Sequence, residues 1–169
     1  NIGNPLSPYA VTKYVNELYA DVFYKTYGTA TVGLRYFNVL WPKQSPNGAY
    51  AAVIPLFMKA ASEGKAPTIN GDGSFSRDFT YVDNAVQANM LALFTEKDEA
   101  VNEIYNVACG DRTTLSKLWE MICETGGKQI EPIYGPVRNG DIPHSLAEIT
   151  KAKERLNYHP KIDVKTGLK

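Results

Sequence analysis

The chain has 169 residues, of which 44% are apolar and 21% charged, a composition typical of an ordinary globular domain that can bury a core. The 18 Lys and Arg residues balance 18 Asp and Glu residues, so neither nucleic acid nor an anionic membrane surface is expected as a partner. No apolar stretch reaches the roughly 18 residues of a membrane span, and we expect a cytoplasmic protein.

The first predicted element is a helix over residues 9–27. Pro8 precedes it, Gly28 is a natural end, and its apolar residues recur at helical spacing. Those residues form an aliphatic stripe that is expected to face the core: Val11, Val15, Leu18 and Val22. A β-branched and aromatic run at 29–39 then predicts a buried strand.

Helices and strands alternate along the rest of the chain. The predicted strands are 68–70, 77–82, 104–108 and 130–134. The predicted helices are 53–63, one capped by Asp83 with apolar positions at 86, 90 and 93, one capped by Thr113 or Thr114, and a short one from about Thr150. This alternation predicts the α/β class, with a small mixed α+β cap formed by the later elements.

Two features concern the ends and the thiols of the chain. The sequence opens without Met and without a first strand, so we expect it to be part of a longer protein. Cys109 and Cys123 lack metal-ligand spacing and are expected to be free, buried thiols. No metal site is predicted.

The first chemical signal is the pair Tyr9 and Lys13. Residues four apart on a helix point in nearly the same direction, about 40° apart around the axis. The pair is expected to lie opposite the aliphatic stripe, facing away from the core. An ammonium beside a phenol favours the phenolate, the form that acts as a base. The spacing alone is a weak signal, because an exposed Tyr beside a Lys is common in helices.

The surrounding motifs make the signal specific. Residues 5–13 read Pro-Leu-Ser-Pro-Tyr-Ala-Val-Thr-Lys, and the next strand ends in Arg-Tyr-Phe-Asn at 35–38. Both motifs resemble those of the extended short-chain dehydrogenase/reductase superfamily. Further motifs at 47–55, 69–73, 76–79 and 138–145 are similar to those of bacterial UDP-N-acetylglucosamine 4-epimerases. The resemblance covers almost the whole chain.

The resemblance implies NAD-dependent 4-epimerisation of a UDP-N-acetylhexosamine, UDP-GlcNAc to UDP-GalNAc, through a 4-keto intermediate, by a homodimer. Residues 1–48 would be the C-terminal portion of a Rossmann-like parallel sheet domain. Residues 49–169 would mainly bind the UDP-sugar, with some elements returning to that sheet. Tyr9 would be the base that takes the 4-hydroxyl proton, and Lys13 its partner.

The resemblance also assigns the binding residues. The cofactor-binding residues would be Tyr9, Lys13, Tyr36 and Phe37. Arginines suit a diphosphate because the guanidinium donates in a fork, and Arg77 and Arg138 match the diphosphate contacts of the family, with Arg112 assisting. The substrate-binding residues would be Asn38, Ala52, Val53, Thr68, Asn70, Arg77, Arg112, Arg138, Asp141 and Ser145. Taken singly, Arg77 could instead pair with Asp78, and Asn70 could be a turn residue.

The chain departs from the family in two ways. Trp41 stands where the family usually has Gly, and Trp tolerates a positive φ poorly. Neither a Gly-x-Gly-x-x-Gly turn nor the catalytic Ser or Thr that precedes the Tyr is in the sequence, so tight NAD binding and turnover by this chain alone are not expected. A nucleotide-sugar 4,6-dehydratase, a decarboxylase and a non-catalytic nucleotide-sugar-binding fragment remain alternatives.

Overall fold

The computed structural model describes residues 3–5, 7–47, 52–138 and 141–169. Its helices are α1 Pro8–Tyr27, α2 Val53–Ser62, α3 Val82–Leu93, α4 Leu115–Thr125, α5 Thr150–Leu156 and α6 Val164–Gly167, with a 3-10 turn at Asp98–Ala100. Its strands are β1 Val32–Tyr36, β2 Asn38–Leu40, β3 Thr68–Asn70, β4 Ser76–Arg77, β5 Phe79–Tyr81, β6 Glu103–Val107, β7 Thr113–Thr114 and β8 Ile133–Gly135. Within these ranges, no helix is both long enough and apolar enough to cross a membrane.

The strands form four pairs. β1 lies parallel to β6, β2 parallel to β5 and β3 parallel to β8, whereas β4 and β7 are antiparallel. Helices connect the parallel strands, which is the arrangement of an α/β fold. The predicted fold class is confirmed. The predicted division at residues 48 and 49 begins outside the described residues and stays a prediction; strands β1 and β2, before it, pair with β6 and β5, after it.

The caps of α1 explain why it begins and ends where it does. Ser7 Oγ accepts a hydrogen bond from the Ala10 amide at 3.1 Å, and Pro8 occupies the first turn, where no amide partner is needed. Gly28 ends the helix in the left-handed region at φ 68°, and its N–H donates to the Tyr24 carbonyl. The predicted helix is therefore confirmed to within one residue.

The face that α1 presents to the rest of the chain was predicted wrongly. The aliphatic stripe is exposed, from 37% at Val15 to 53% at Val22. The half-buried residues lie on another face: Ala10, Tyr14, Glu17 and Ala20. A stripe is buried only where another element packs across it, and no element within the described ranges covers this one.

Two predicted strands are each divided in the structure. The run at 29–39 breaks at Phe37, and the run at 77–82 breaks at Asp78 and ends at Tyr81. The reason is a change of partner, because β1 pairs with β6 but β2 with β5, and β4 pairs with β7 but β5 with β2. The strand predicted at 130–134 lies instead at Ile133–Gly135.

The predicted caps had different outcomes. Thr114 Oγ1 accepts from the Lys117 amide at 3.1 Å and caps α4, as predicted. Asp83 does not cap α3, because β5 runs directly into the helix and places Asp83 inside its first turn. The buried residues of α3 are Asn84, Ala85 and Ala88, whereas the apolar positions predicted from the sequence are exposed.

Three buried clusters hold these elements together. The largest joins α2 to α4, where the rings of Phe57 and Trp119 pack edge to face with centroids 5.6 Å apart, a contact worth about 0.5–1.5 kcal/mol beyond burial. The second packs α3 and α5 against β1 and β6. The third lies at the carboxyl ends of β1 and β6 and consists of Ala108, Ala147 and Ile149, with Phe37 packed against it. This last cluster lies where α/β sheets bind their ligands.

Candidate active site

The Tyr9 and Lys13 side chains occupy the start of α1 and lie side by side. Lys13 Nζ is 5.2 Å from the centroid of the Tyr9 ring. Tyr9 is 71% exposed and Lys13 is also exposed. A cation within about 6 Å of an aromatic ring is attracted to it, so the two groups form an exposed pair at the start of α1.

An ion pair joins α1 to β1. Arg35 Nε and Nη2 donate to the two carboxylate oxygens of Glu17, both at 2.5 Å. The hydrogen bonding of Arg35 to the Glu17 carboxylate is also the main cause that raises the pKa of Arg35. Glu17 is not among the predicted site residues, although it follows Lys13 by four residues and so lies on a neighbouring part of the helix surface. The fork sets the position of the Tyr9 and Lys13 pair relative to the strand that leads to Tyr36.

Three predicted site residues follow one another from the end of β1 to the start of β2, and their surroundings differ. Tyr36 is half exposed, and its hydroxyl donates to Asn89 Oδ1 at 2.9 Å. Phe37 is half-buried and packs against the third cluster. Asn38 Nδ2 donates to the Asp78 carbonyl at 3.1 Å. Asn38 is thereby tied to the segment that carries Arg77.

Asp78 is the most enclosed charged group of this region, with 0% exposure. Its Oδ1 accepts from the Cys109 amide at 3.0 Å, and its Oδ2 accepts from the amides of Gly110 at 3.0 Å and Ala147 at 3.3 Å. Burial raises the pKa of the Asp78 carboxyl, while the three amide donors favour its charged form and oppose that shift. From the sequence, Asp78 was expected only as a possible partner for Arg77.

Arg77 lies between two backbone segments. Its Nη1 donates to the carbonyls of Ser76 at 2.9 Å and Pro143 at 3.3 Å. Ser76 in turn accepts from the Ser145 amide at 3.0 Å, and its Oγ lies 2.9 Å from His144 Nδ1. The structure therefore brings together Arg77 and Ser145, two of the predicted substrate-binding residues.

The predicted substrate-binding residues of the α+β cap lie on neighbouring strands and loops. Thr68 and Asn70 belong to β3, which pairs with β8 so that Asn70 is opposite Gly135. Arg138 follows β8 and is exposed, and its carbonyl accepts from the Asp141 amide at 3.2 Å. Residues 139 and 140 of the same motif lie outside the described residues. The pairing puts Asn70 and the Arg138 segment at the same end of one small sheet.

Three further residues occupy other positions. Ala52 precedes α2 and is exposed, whereas Val53 begins α2 and packs against the largest core cluster. Arg112 lines a cavity of about 410 Å³ together with Lys117, Asp163 and other residues of α4 and α6. Neither Arg77 nor Ser145 lines that cavity. A role for these three residues in the substrate site stays a prediction.

The loop after β2 accommodates Trp41 without strain at that residue. The positive φ of the loop is at Lys43, where φ is 62°, and Trp41 is not in the left-handed region. The Gln44 amide donates to the Trp41 carbonyl and closes a turn around Lys43. The positive φ of this turn therefore falls on Lys43, two residues after Trp41.

Comparison with known proteins gives a consistent result. Residues 1–108 match the model of the NAD-dependent epimerase/dehydratase family. A putative UDP-glucose 4-epimerase of Methanocaldococcus jannaschii is 39% identical over 98% of this chain and 52% of its own length. The structure of a UDP-N-acetylglucosamine 4-epimerase from Methanobrevibacter ruminantium M1, in complex with UDP-N-acetylmuramic acid, is 41% identical with a TM-score of 0.90, covering 98% of this chain and 52% of that one.

The relatives also include a different activity. A UDP-N-acetyl-alpha-D-glucosaminuronate decarboxylase of Bacillus cytotoxicus is 32% identical over 95% of this chain and 50% of its own length. The chain spans about half the length of the relatives that it matches. The Rossmann-like fold and NAD as the cofactor of the family are confirmed.

Proposed function

Because the chain belongs to the NAD-dependent epimerase/dehydratase family, we propose that it is the second half of a UDP-N-acetylhexosamine 4-epimerase that interconverts UDP-GlcNAc and UDP-GalNAc. The observation that carries the proposal is the exposed pair of Tyr9 and Lys13 on a helix tied by Glu17 to the strand that leads to Asn38. The half coverage of the relatives supports the view that the pair works within a longer enzyme.

The residues present fit one end of the cofactor. The chemistry that bound NAD would supply is acceptance of a hydride from the sugar and its return. Lys13 is exposed beside Tyr9 and can donate to a ribose hydroxyl, and Phe37 offers an apolar surface at the strand end. The 169 residues contain no Gly-rich phosphate-binding turn. This chain alone is therefore expected to bind NAD weakly and to show negligible turnover.

The reaction needs a base at the sugar 4-hydroxyl. Tyr9 takes the proton from that hydroxyl in one direction and returns it in the other. Lys13 supplies a positive charge 5.2 Å from the centre of the Tyr9 ring, next to the group that exchanges the proton. The 71% exposure of Tyr9 leaves the hydroxyl open to the substrate.

The nucleotide would bind on the side of Arg77. Arg77 Nη1 is held by two carbonyls, which leaves other donors of the guanidinium for a diphosphate. Arg138 would approach from the β8 side, with Thr68 and Asn70 at the base and ribose. The larger part of this cap lies within residues 49–169, which supports the two-domain division.

The quaternary structure and location are part of the proposal. The α1 helix exposes aromatic side chains outside its aliphatic stripe, among them Tyr19 at 62% and Phe23 at 46%. Pairing of such helices in a homodimer would remove this apolar surface from water. The substrate and NAD are both dissolved in the cytoplasm, where we propose that the enzyme acts. Size-exclusion chromatography with light scattering of the longer enzyme should give the mass of a dimer.

Replacement of Tyr9 by Phe in the longer enzyme tests the catalytic assignment. The variant lacks the base but keeps the ring, so kcat for UDP-GlcNAc should fall at least about 100-fold with little change in stability. Tyr27→Phe is the matched control, because Tyr27 is on the same helix and is also 71% exposed. Equal activity of the Tyr9 variant and the control would refute the role of Tyr9.

Replacement of Ser145 by Tyr tests the sugar assignment. Ser145 is half-buried beside Ser76 and Arg77, and a small side chain there leaves room for the N-acetyl group. The variant should lose kcat/KM for UDP-GlcNAc relative to UDP-glucose by more than about 10-fold, or about 1.4 kcal/mol. Equal losses for both sugars would mean that Ser145 only supports the fold.

The decarboxylase relative gives the second candidate function. A decarboxylase would release CO₂ from a UDP-N-acetylglucosaminuronate, whereas a 4-epimerase would convert UDP-GlcNAc without loss of carbon. Incubation of the longer enzyme with each substrate, with products separated by chromatography, distinguishes the two. Binding of both without any product would favour a nucleotide-sugar-binding protein without catalytic activity.

A further inference from the structure

The Asp78 residue connects three segments that are far apart in the sequence. Its carboxylate accepts hydrogen bonds from the amides of Cys109 and Gly110, just after β6, and from the amide of Ala147, between β8 and α5. Its carbonyl accepts from Asn38, at the start of β2. Asp78 itself lies between β4 and β5, where the chain changes its strand partner.

A second set of contacts fixes the other end of the 143–147 segment. The Ser76 amide donates to the Pro143 carbonyl at 2.9 Å, and the Ser145 amide donates back to the Ser76 carbonyl at 3.0 Å. Two residues on the same short stretch, Ser76 and Asp78, therefore hold this segment at 143–145 and at 147. Arg77 lies between them, and its Nη1 donates to the Pro143 carbonyl of the held segment.

Loss of the carboxylate contacts has a specific consequence for Arg77. If the amide of Ala147 is released, the 143–147 segment is held only at its Ser76 end. Ser76 still holds the Pro143 carbonyl, but the backbone on the other side of Arg77 loses the three contacts of the Asp78 carboxylate, so the position of Arg77 is less restricted. A guanidinium that binds a diphosphate through two hydrogen bonds must be held in the right position and orientation before the ligand arrives.

We propose that Asp78 is a positioning residue of the nucleotide site, which holds Arg77, Ser145 and Asn38 in one arrangement through its backbone contacts. Asp78 is fully buried, so we assign it no contact with the substrate. The inference rests on the proposed function, because it assigns Arg77 to the diphosphate. It predicts that the loss of Asp78 weakens binding of the diphosphate but not of the nucleoside.

The experiment compares Asp78→Asn with Tyr105→Phe in this chain. The Asn side chain has nearly the same shape but turns an N–H₂ group toward at least one amide donor. Tyr105→Phe removes another buried hydrogen bond, from a side chain with 0% exposure to the Ala100 carbonyl, and Ala100 lies outside the segments that Asp78 holds. This variant therefore serves as the control, because it shows how the loss of a buried hydrogen bond elsewhere in the fold affects binding. Binding of UDP and of uridine is measured by ligand-observed NMR at a temperature where every variant is folded.

The expected result is a UDP affinity at least about 10-fold weaker in Asp78→Asn, by analogy with residues that orient metal ligands, whose loss costs about 10–100-fold. Uridine affinity should be unchanged, and Tyr105→Phe should bind both ligands as the unaltered chain does. Unaltered UDP affinity in Asp78→Asn, or an equal loss for UDP and uridine, would overturn the inference.

Hydrogen exchange separates this inference from the proposed function. Amides of Cys109, Gly110 and Ala147 should lose protection in Asp78→Asn and keep it in Tyr105→Phe, with or without ligand. If the unaltered chain does not bind UDP, the nucleotide assignment fails and the exchange result alone decides the role of Asp78. Retained protection at all three amides would then show that Asp78 does not hold these segments.

Discussion

Replacement of Glu17 by Gln tests whether the ion pair with Arg35 attaches α1 to the rest of the chain. No residue of α1 is fully buried, so the helix has few other contacts that could hold it. Gln keeps one acceptor for the guanidinium, but it lacks the charge and turns an N–H₂ group toward the second donor. The variant should therefore lose about one charge-assisted hydrogen bond.

The magnitude follows from burial. The side chains are 27% exposed for Arg35 and 18% for Glu17. Exposed ion pairs contribute about 0–1 kcal/mol, and breaking a buried pair costs about 3–5 kcal/mol. A hydrogen bond to a charged group is worth about 1.5–3 kcal/mol, so we expect a loss of about 2 kcal/mol. For a chain of this size, that corresponds to a Tm lowered by about 4–8 °C.

The assay is urea and thermal unfolding followed by circular dichroism, with hydrogen exchange of the α1 amides. Asp21→Asn is the matched control, because Asp21 pairs with Lys25 on the same helix while its side chain is 53% exposed. That variant should lose at most about 1 kcal/mol. If Glu17→Gln and Asp21→Asn cost the same, the Arg35 fork does not fix the helix, and another contact must position Tyr9.

Two further predictions concern stability and reactivity. Gly73→Ala should lower the free energy of unfolding by about 2–4 kcal/mol, because a Cβ at that residue would lie 1.9 Å from Ser116 Oγ and φ is +80°. Gly127→Ala has a φ of +62° and nothing within 4 Å of its Cβ, so it should lose only the backbone strain of about 1–2 kcal/mol. Equal losses of the two variants in urea unfolding would contradict this. Burial raises the pKa of the Cys109 thiol to about 11, so alkylation of the folded chain should be slow at pH 8 and rise toward pH 11, where the thiolate forms. Because the Cys109 thiol is harder to ionise in the folded chain, its contribution to stability is fully present below the unfolded pKa of about 8.5 and should be lost as the pH rises toward 11. Rapid labelling of Cys109 at pH 8 without unfolding would show that its site is open.

The sequence by itself determined what depends on neighbouring residues. The bounds of α1 followed from Pro8, Gly28 and the helical spacing, and the proximity of Tyr9 to Lys13 followed from the geometry of one helical turn. The cap of α4 at Thr114 was also local. Such features depend on contacts within about four residues, which the order of the amino acids already specifies.

Only the tertiary structure decided which surfaces meet. Helical spacing identified the stripe on α1 but not whether anything covers it, and the stripe is exposed. The role of Asp78 could not be seen because its partners are 31 to 69 residues away in the sequence. The break of each long strand run at Phe37 and Asp78 has the same origin, since a strand ends where its partner changes. Burial and strand pairing are properties of two surfaces, and the pattern of one segment describes only its own.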